Sequence, residues 1–182
     1  MLGLGASIVS SSFDPLDLLG TYTSNFAAGT DSWGDFGVST GTQTKTANQS
    51  IGGRSGVLKI LYDADESVSF GLELATPWSK DFKVGDQVYV SLDVYQVDED
   101  PQNDSGGPNF FFQAGDNYHT SRRPFSGVVA EDAWVTRTGT AIITGGGNDG
   151  NMRIGFNNSS NSPGVGDHWY LDNVVVRHYR PK

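Results

Sequence analysis

The chain has 182 residues, 24 of them glycine, with 12% aromatic residues, no cysteine and a formal charge of −9 at a pI near 4.5. That length suits one domain with a substantial core, and glycine with aromatics suits short strands joined by tight turns. The acidity and the want of a basic stripe exclude nucleic-acid binding, and the lack of cysteine excludes disulfide and thiolate chemistry.

In chain order, the first segment stands apart. Residues 1–20 gather Leu2, Leu4, Ile8, Val9, Phe13, Leu16, Leu18 and Leu19 with almost no charge. The stretch lacks the basic start of a signal peptide and is too short to span a bilayer, so neither export signal nor membrane insertion is expected. It either folds back over its own domain or serves as a docking arm that buries its leucines in a neighbouring subunit or another protein. The expected division is an arm over residues 1–20 and a β-sandwich over 21–182.

From Tyr22 onward, strand signals alternate with Gly, Pro and Asn punctuation, without an internal repeat. The pattern predicts strands near 21–27, 33–40, 56–62, 67–75, 87–96, 109–114, 134–143, 151–157 and 168–178, the spacing of an all-β sandwich. In the fifth of these, Val88, Val90, Leu92 and Val94 are expected in the core, leaving Tyr89, Ser91, Asp93 and Tyr95 on the opposite face. Phe110 and Phe112 likewise separate from Asn109, Phe111 and Gln113. Met152, Ile154 and Phe156 separate from Asn151, Arg153 and Asn157.

Sugar recognition needs flat aromatic faces for the apolar side of a pyranose ring and planar polar groups for its hydroxyls. Tyr89, Tyr95 and Phe111 offer the first, and Asp93, Gln113, Arg153 and Asn157 the second. These seven are the candidate sugar-binding residues. The alternative is an ordinary polar sheet face stabilised by cross-strand pairs. Trp33, Trp134 and Trp169 are expected in the core or at its rim, with Trp78, beside Pro77, as the exposed aromatic.

No reaction is expected. Glu73 and Asp93 form a carboxylate pair of the kind a glycosidase uses, but 21 acids in an all-β chain offer such pairs by chance. There is no G-x-S-x-G elbow, and His119, His168 and His178 make no zinc pair. The acid-rich loop from Asp98 to Asp104 lacks the EF-hand spacing, and Arg122-Arg123 suits a solvated turn.

Three segments together resemble a known class. His168-Trp169-Tyr170-Leu171-Asp172-Asn173-Val174-Val175-Val176 resembles the closing strand of jelly-roll, galactose-binding-like carbohydrate-binding modules. Asn25-Phe26 followed by Gly29, Asp31 and Trp33 is similar to their opening pattern, and Trp134 with the Thr-rich run to Ile143 to their penultimate strand. The resemblance spans about residues 21–179 and implies a jelly-roll β-sandwich with an apolar N-terminal arm. It also implies a structural calcium on Asp172, with Asp31 and its neighbouring carbonyls as partners. The chain departs from the family at Ala27, where the usual acid is missing.

Two functional readings follow. The first is a non-catalytic phage virion structural protein, a capsid or tail decoration or fibre that sits on the virion surface. It attaches to other virion proteins through residues 1–20, and glycan binding to host surfaces is compatible with it. The opening Met1-Leu2-Gly3-Leu4-Gly5 is similar to the starts of small marine-phage structural proteins. The alternative is an extracellular carbohydrate-binding module associated with a polysaccharide-degrading enzyme. Polysaccharide is a candidate partner in both, and self-association stays open.

Overall fold

The computed structural model describes residues 16–36, 43–62, 70–74, 82–97, 109–114, 126–127, 129–144, 152–157 and 166–182. Among them every regular element is a strand: β1 Leu16–Ser24, β2 Gly34–Phe36, β3 Gln43–Ile51, β4 Arg54–Tyr62, β5 Phe70–Leu74, β6 Gln87–Val97, β7 Asn109–Ala114, β8 Ser126–Gly127, β9 Trp134–Ile142, β10 Met152–Asn157 and β11 His168–Pro181. They form two antiparallel sheets. One runs β3-β4-β11-β6-β9 with β1 also on β11, and the other runs β2-β5-β10-β7-β8.

The alternation read from the sequence sorts these strands correctly. Val88, Val90, Leu92 and Val94 meet Leu58, Ile60, Trp169, Leu171 and Val176 on one inner face, and Leu72, Leu74, Phe110, Phe112, Met152 and Ile154 on the other. Each β-branched or aromatic side chain that leaves water here carries the apolar burial that makes two stacked sheets stable. Trp33 and Trp169 belong to this core, whereas Trp78 lies outside the described residues.

Strand β11 has more partners than its length suggests. One edge runs along β6. The other pairs first with β4, through His168–Leu171, and then with β1, through Val174–Pro181. The hand-over falls at Asp172–Asn173, where the register against β6 shifts and Asn173 takes φ 50. Asparagine is among the few residues that tolerate this left-handed conformation.

Three elements differ most from expectation. Strand β1 begins at Leu16, so the last five residues of the expected arm belong to the sheet, with Leu16 and Leu18 exposed and Leu19 half-buried at a bulge. Leu2, Leu4, Ile8, Val9 and Phe13 lie outside the described residues. Strand β3 carries almost no apolar signal because it is an edge strand, held by its ladder to β4. Strand β8 is only two residues long and leaves no pattern to read.

Two polar knots fix the edges. Asp35 on β2 accepts Gln43 at 2.5 Å and pairs with Lys45 at 2.8 Å, both on β3, tying one sheet to the other. At the far end of β11, the buried carboxylate of Asp86 accepts His178 Nε2 at 2.7 Å, Arg180 at 2.7 and 2.8 Å, and the Lys83 backbone N–H at 2.8 Å. His178 stacks edge-on against Phe82 at 4.8 Å. Burial alone would raise the Asp86 pKa, but the hydrogen bonds from Arg180, Lys83 and His178 outweigh it and hold the group below its ordinary range. Burial also lowers His178, so its ring is neutral and donates from Nε2.

Both shifts have the same sign for stability. A depressed carboxylate stabilises the fold above its ordinary range and loses that contribution as pH falls through its folded value. A depressed imidazole stabilises the fold as the neutral form and begins to lose its contribution below about pH 6.5. Thermal melts should therefore show a midpoint that falls in two stages on acidification, and His178→Gln should remove the first stage. Asp86→Ala, which leaves the buried His178 Nε2 without its acceptor and takes a carboxylate from Arg180, should cost about 1–3 kcal/mol in denaturant unfolding.

Candidate functional site

The seven candidate sugar-binding residues do not share a surface. Tyr89, Asp93 and Tyr95 occupy the outer face of the six-stranded sheet. Phe111, Gln113, Arg153 and, by register, Asn157 belong to the outer face of the five-stranded sheet, on the far side of the sandwich. Alternation tells which residues share a strand face but not which sheet a strand joins. The same division separates Glu73 from Asp93: Glu73 is on β5 and pairs with Arg153 at 2.7 Å, so the two carboxylates cannot flank one sugar.

Most of the seven are also covered. Phe111 and Gln113 are 1% and 2% exposed, and the side chain of Asn157 lies outside the described residues. Asp93 and Tyr95 are 7% and 8% exposed because the β3–β4 hairpin lies over them. Its Gly52-Gly53 turn has φ 55 and 79, the double left-handed geometry of a two-residue hairpin loop. A Cβ on Gly52 would stand 2.7 Å from Trp134 Nε1 and 2.8 Å from the Tyr95 ring. The next residue, Arg54, reaches across β11. Its guanidinium donates to Asp93 at 2.6 Å and Asp172 at 3.2 Å, and lies 4.3 Å from the Trp134 ring.

Asp93 is the hub of this latch, accepting also from Thr136 at 2.5 Å and Asn173 at 2.9 Å. Burial would raise its pKa, but the bonds from Asn173, Thr136 and Arg54 hold it below its ordinary range. Val57, Tyr95 and Tyr170, with Ile51, Val97 and Trp134 around them, fill the space beneath the hairpin as a second small apolar cluster. Tyr89 stays half-exposed with Arg177 5.7 Å from its ring. Arg54→Ala should free the hairpin, red-shift tryptophan emission as Trp134 meets water, and cost about 3 kcal/mol or more by leaving Asp93 without its cation. An unchanged spectrum would show that the apolar cluster alone holds the tip.

The two residues expected to hold calcium serve other partners. Asp172 faces Arg54 and accepts the Asn173 N–H at 2.8 Å, while Asp31 accepts the Ser24 hydroxyl and, at 3.4 Å, the Phe26 N–H. Among the described residues no three His, Cys, Asp or Glu converge on one point, so a calcium held here would take most of its oxygens from carbonyls, hydroxyls or water.

Asp31 instead lines a feature the sequence did not announce, an open recess of about 510 Å³ between the β1–β2 connection and the β11 bulge. Its polar lining comes from Tyr22, Thr23, Ser24, Asn25, Asp31, Ser32 and Asn173, with Val174 and Val175 as the apolar part. The connection holds its shape through unusual backbone: Phe26, Asp31 and Ser32 have φ 55, 49 and 68. The fully buried ring of Phe26 and the bond from Tyr22 Oη to the Asp31 carbonyl at 3.2 Å anchor it. The available signal was the density of Ser, Asn, Thr and Asp between Thr23 and Ser32, which marks a turn without saying what the turn encloses.

No family model matches the sequence, and no curated protein does. Solved structures do. A family 29 carbohydrate-binding module aligns over 90% of this chain and 88% of its own, at 15% identity and a TM-score of 0.49. A variant of such a module in complex with mannohexaose aligns over 90% and 91%, at 13% identity and 0.47. The arabinose-bound MgGH51 α-L-arabinofuranosidase aligns over 88% of this chain but 27% of its own, at 12% identity and 0.60. At these identities the likeness is one of fold, and the chain is a jelly-roll β-sandwich.

Proposed function

We propose that this chain is a non-catalytic glycan-binding module whose ligand seat is the recess between the β1–β2 connection and the β11 bulge. The observation that carries the reading is the lining of that recess, where hydroxyl, amide and carboxylate groups converge in a volume of a small-ligand site. Such a lining suits a polyhydroxyl ligand, whose many donors and acceptors must each be met when water is displaced. The jelly-roll fold shared with part of an arabinose-bound enzyme agrees with it.

Asp35, Asp86 and Asp93, held below their ordinary range by hydrogen bonds that outweigh burial, lack the raised pKa of a glycosidase acid. Titration calorimetry and a soluble-glycan array test the reading. Thr23→Val and Ser32→Gly each remove one hydroxyl from the recess, the second at a left-handed position that glycine accepts, and each should weaken binding about three- to tenfold. Binding untouched by both changes would move the seat elsewhere, and no glycan bound by the parent protein would sink the reading.

As for where the module is carried, we propose a phage virion surface, with the segment ahead of β1 as attachment to other virion proteins. What supports an attachment at that end is that β1 enters the sheet with Leu18 55% exposed and Leu16 beside it, at the point where that segment joins. An extracellular module of a polysaccharide-degrading system is the alternative. Deleting residues 1–15 should leave a soluble sandwich with an unchanged melting midpoint that no longer joins the particle. Deleting 1–20 should also lower the midpoint, because it removes half of the β1 ladder. Full occupancy of particles by the shorter deletion would exclude the arm as the attachment.

A further inference from the structure

The chemistry of the recess points beyond glycans in general to a charge class. Several carboxylates elsewhere on the sandwich already face a cation: Asp93 and Asp172 share Arg54, Asp35 faces Lys45, Glu73 faces Arg153 and Asp86 faces Arg180. Asp31 differs. Its Oδ2 accepts Ser24 and the Phe26 N–H, its carbonyl accepts Tyr22, and its Oδ1 takes no hydrogen bond from the described residues. Among the described residues no Lys or Arg lines the recess, and the chain as a whole carries a formal charge of −9.

Resting on the reading above, we propose that the recess selects sugars bearing a free ammonium group, and rejects uronates and sulfated sugars. A single carboxylate with one oxygen held by Ser24 and the Phe26 N–H and the other unused offers a ready partner for an ammonium. The same oxygen repels a ligand carboxylate or sulfate at hydrogen-bond range, and no lining cation relieves that repulsion. Neutral sugars fall between the two.

The probes are three oligosaccharides of matched length titrated into the full chain in mildly acid, low-salt buffer: a glucosamine oligomer, its N-acetylated counterpart and an oligogalacturonate. The glucosamine oligomer should bind about fivefold tighter than the acetylated one and about tenfold or more tighter than the acidic one, with a preference that shrinks as salt is added. Asp31→Asn keeps the shape and suits φ 49, and should erase the charge-dependent ratio. Should that variant melt early, Thr23→Lys sets a cation at the recess from an exposed strand position and should invert the order in favour of the oligogalacturonate.

Equal binding of the three oligomers in the parent protein, with affinity still sensitive to Thr23→Val, would overturn the charge class and leave the glycan reading standing. Calcium chloride alone giving a binding heat that Asp31→Asn abolishes, with no preference among the oligomers, would also overturn it, by making the recess a cation site. No binding of any oligomer would remove the underlying reading itself.

Discussion

Strand β11 must satisfy hydrogen bonds on both edges over fourteen residues, and no single neighbour covers its second edge. The fold solves this by changing partner midway, from β4 to β1, and nearly everything of chemical interest gathers at the change. A strand cannot hand over from one ladder to another without a local irregularity, and here that irregularity is the Asp172–Asn173 bulge. The bulge leaves polar groups at the surface, frees the start of β4 to swing over the outer face, and forms one wall of the recess. The Arg54 latch binds the three segments that meet there, since its partners lie on β6 and β11.

Electrostatics follow from the same geometry. A buried carboxylate is costly unless it is met by several donors, and Asp86 and Asp93 each meet at least three. One clamps the far end of β11, the other its middle. Their lowered pKa values record a structural commitment of these two carboxylates to the strand between them.

Much of the sandwich was legible in the sequence because period-two alternation reports directly on the inner faces. The strand holding Val88 to Val94 was placed within a residue of its bounds, and the closing strand was placed at its first residue but runs three residues past its expected end. Legibility failed where position depends on a distant segment. The burial of Tyr95 depends on a hairpin some forty residues earlier, and the separation of Phe111 from Tyr89 depends on which sheet each strand enters. Polar β3 escaped notice because its ladder, not its side chains, holds it. The recess left only a turn signal, because its shape comes from positive φ angles at Phe26, Asp31 and Ser32 that composition does not encode.

The position of β11 also sets a timetable for the nascent chain. Strands β1, β4 and β6 have no common partner until the segment from residue 168 onward has left the ribosome, so the six-stranded sheet cannot close before then. Pairings such as Leu16 with Pro181 span nearly the whole sandwich, the high contact order that goes with slow folding. Until that strand arrives, the half-made sheet presents bare edges, the kind of surface through which partly folded chains associate.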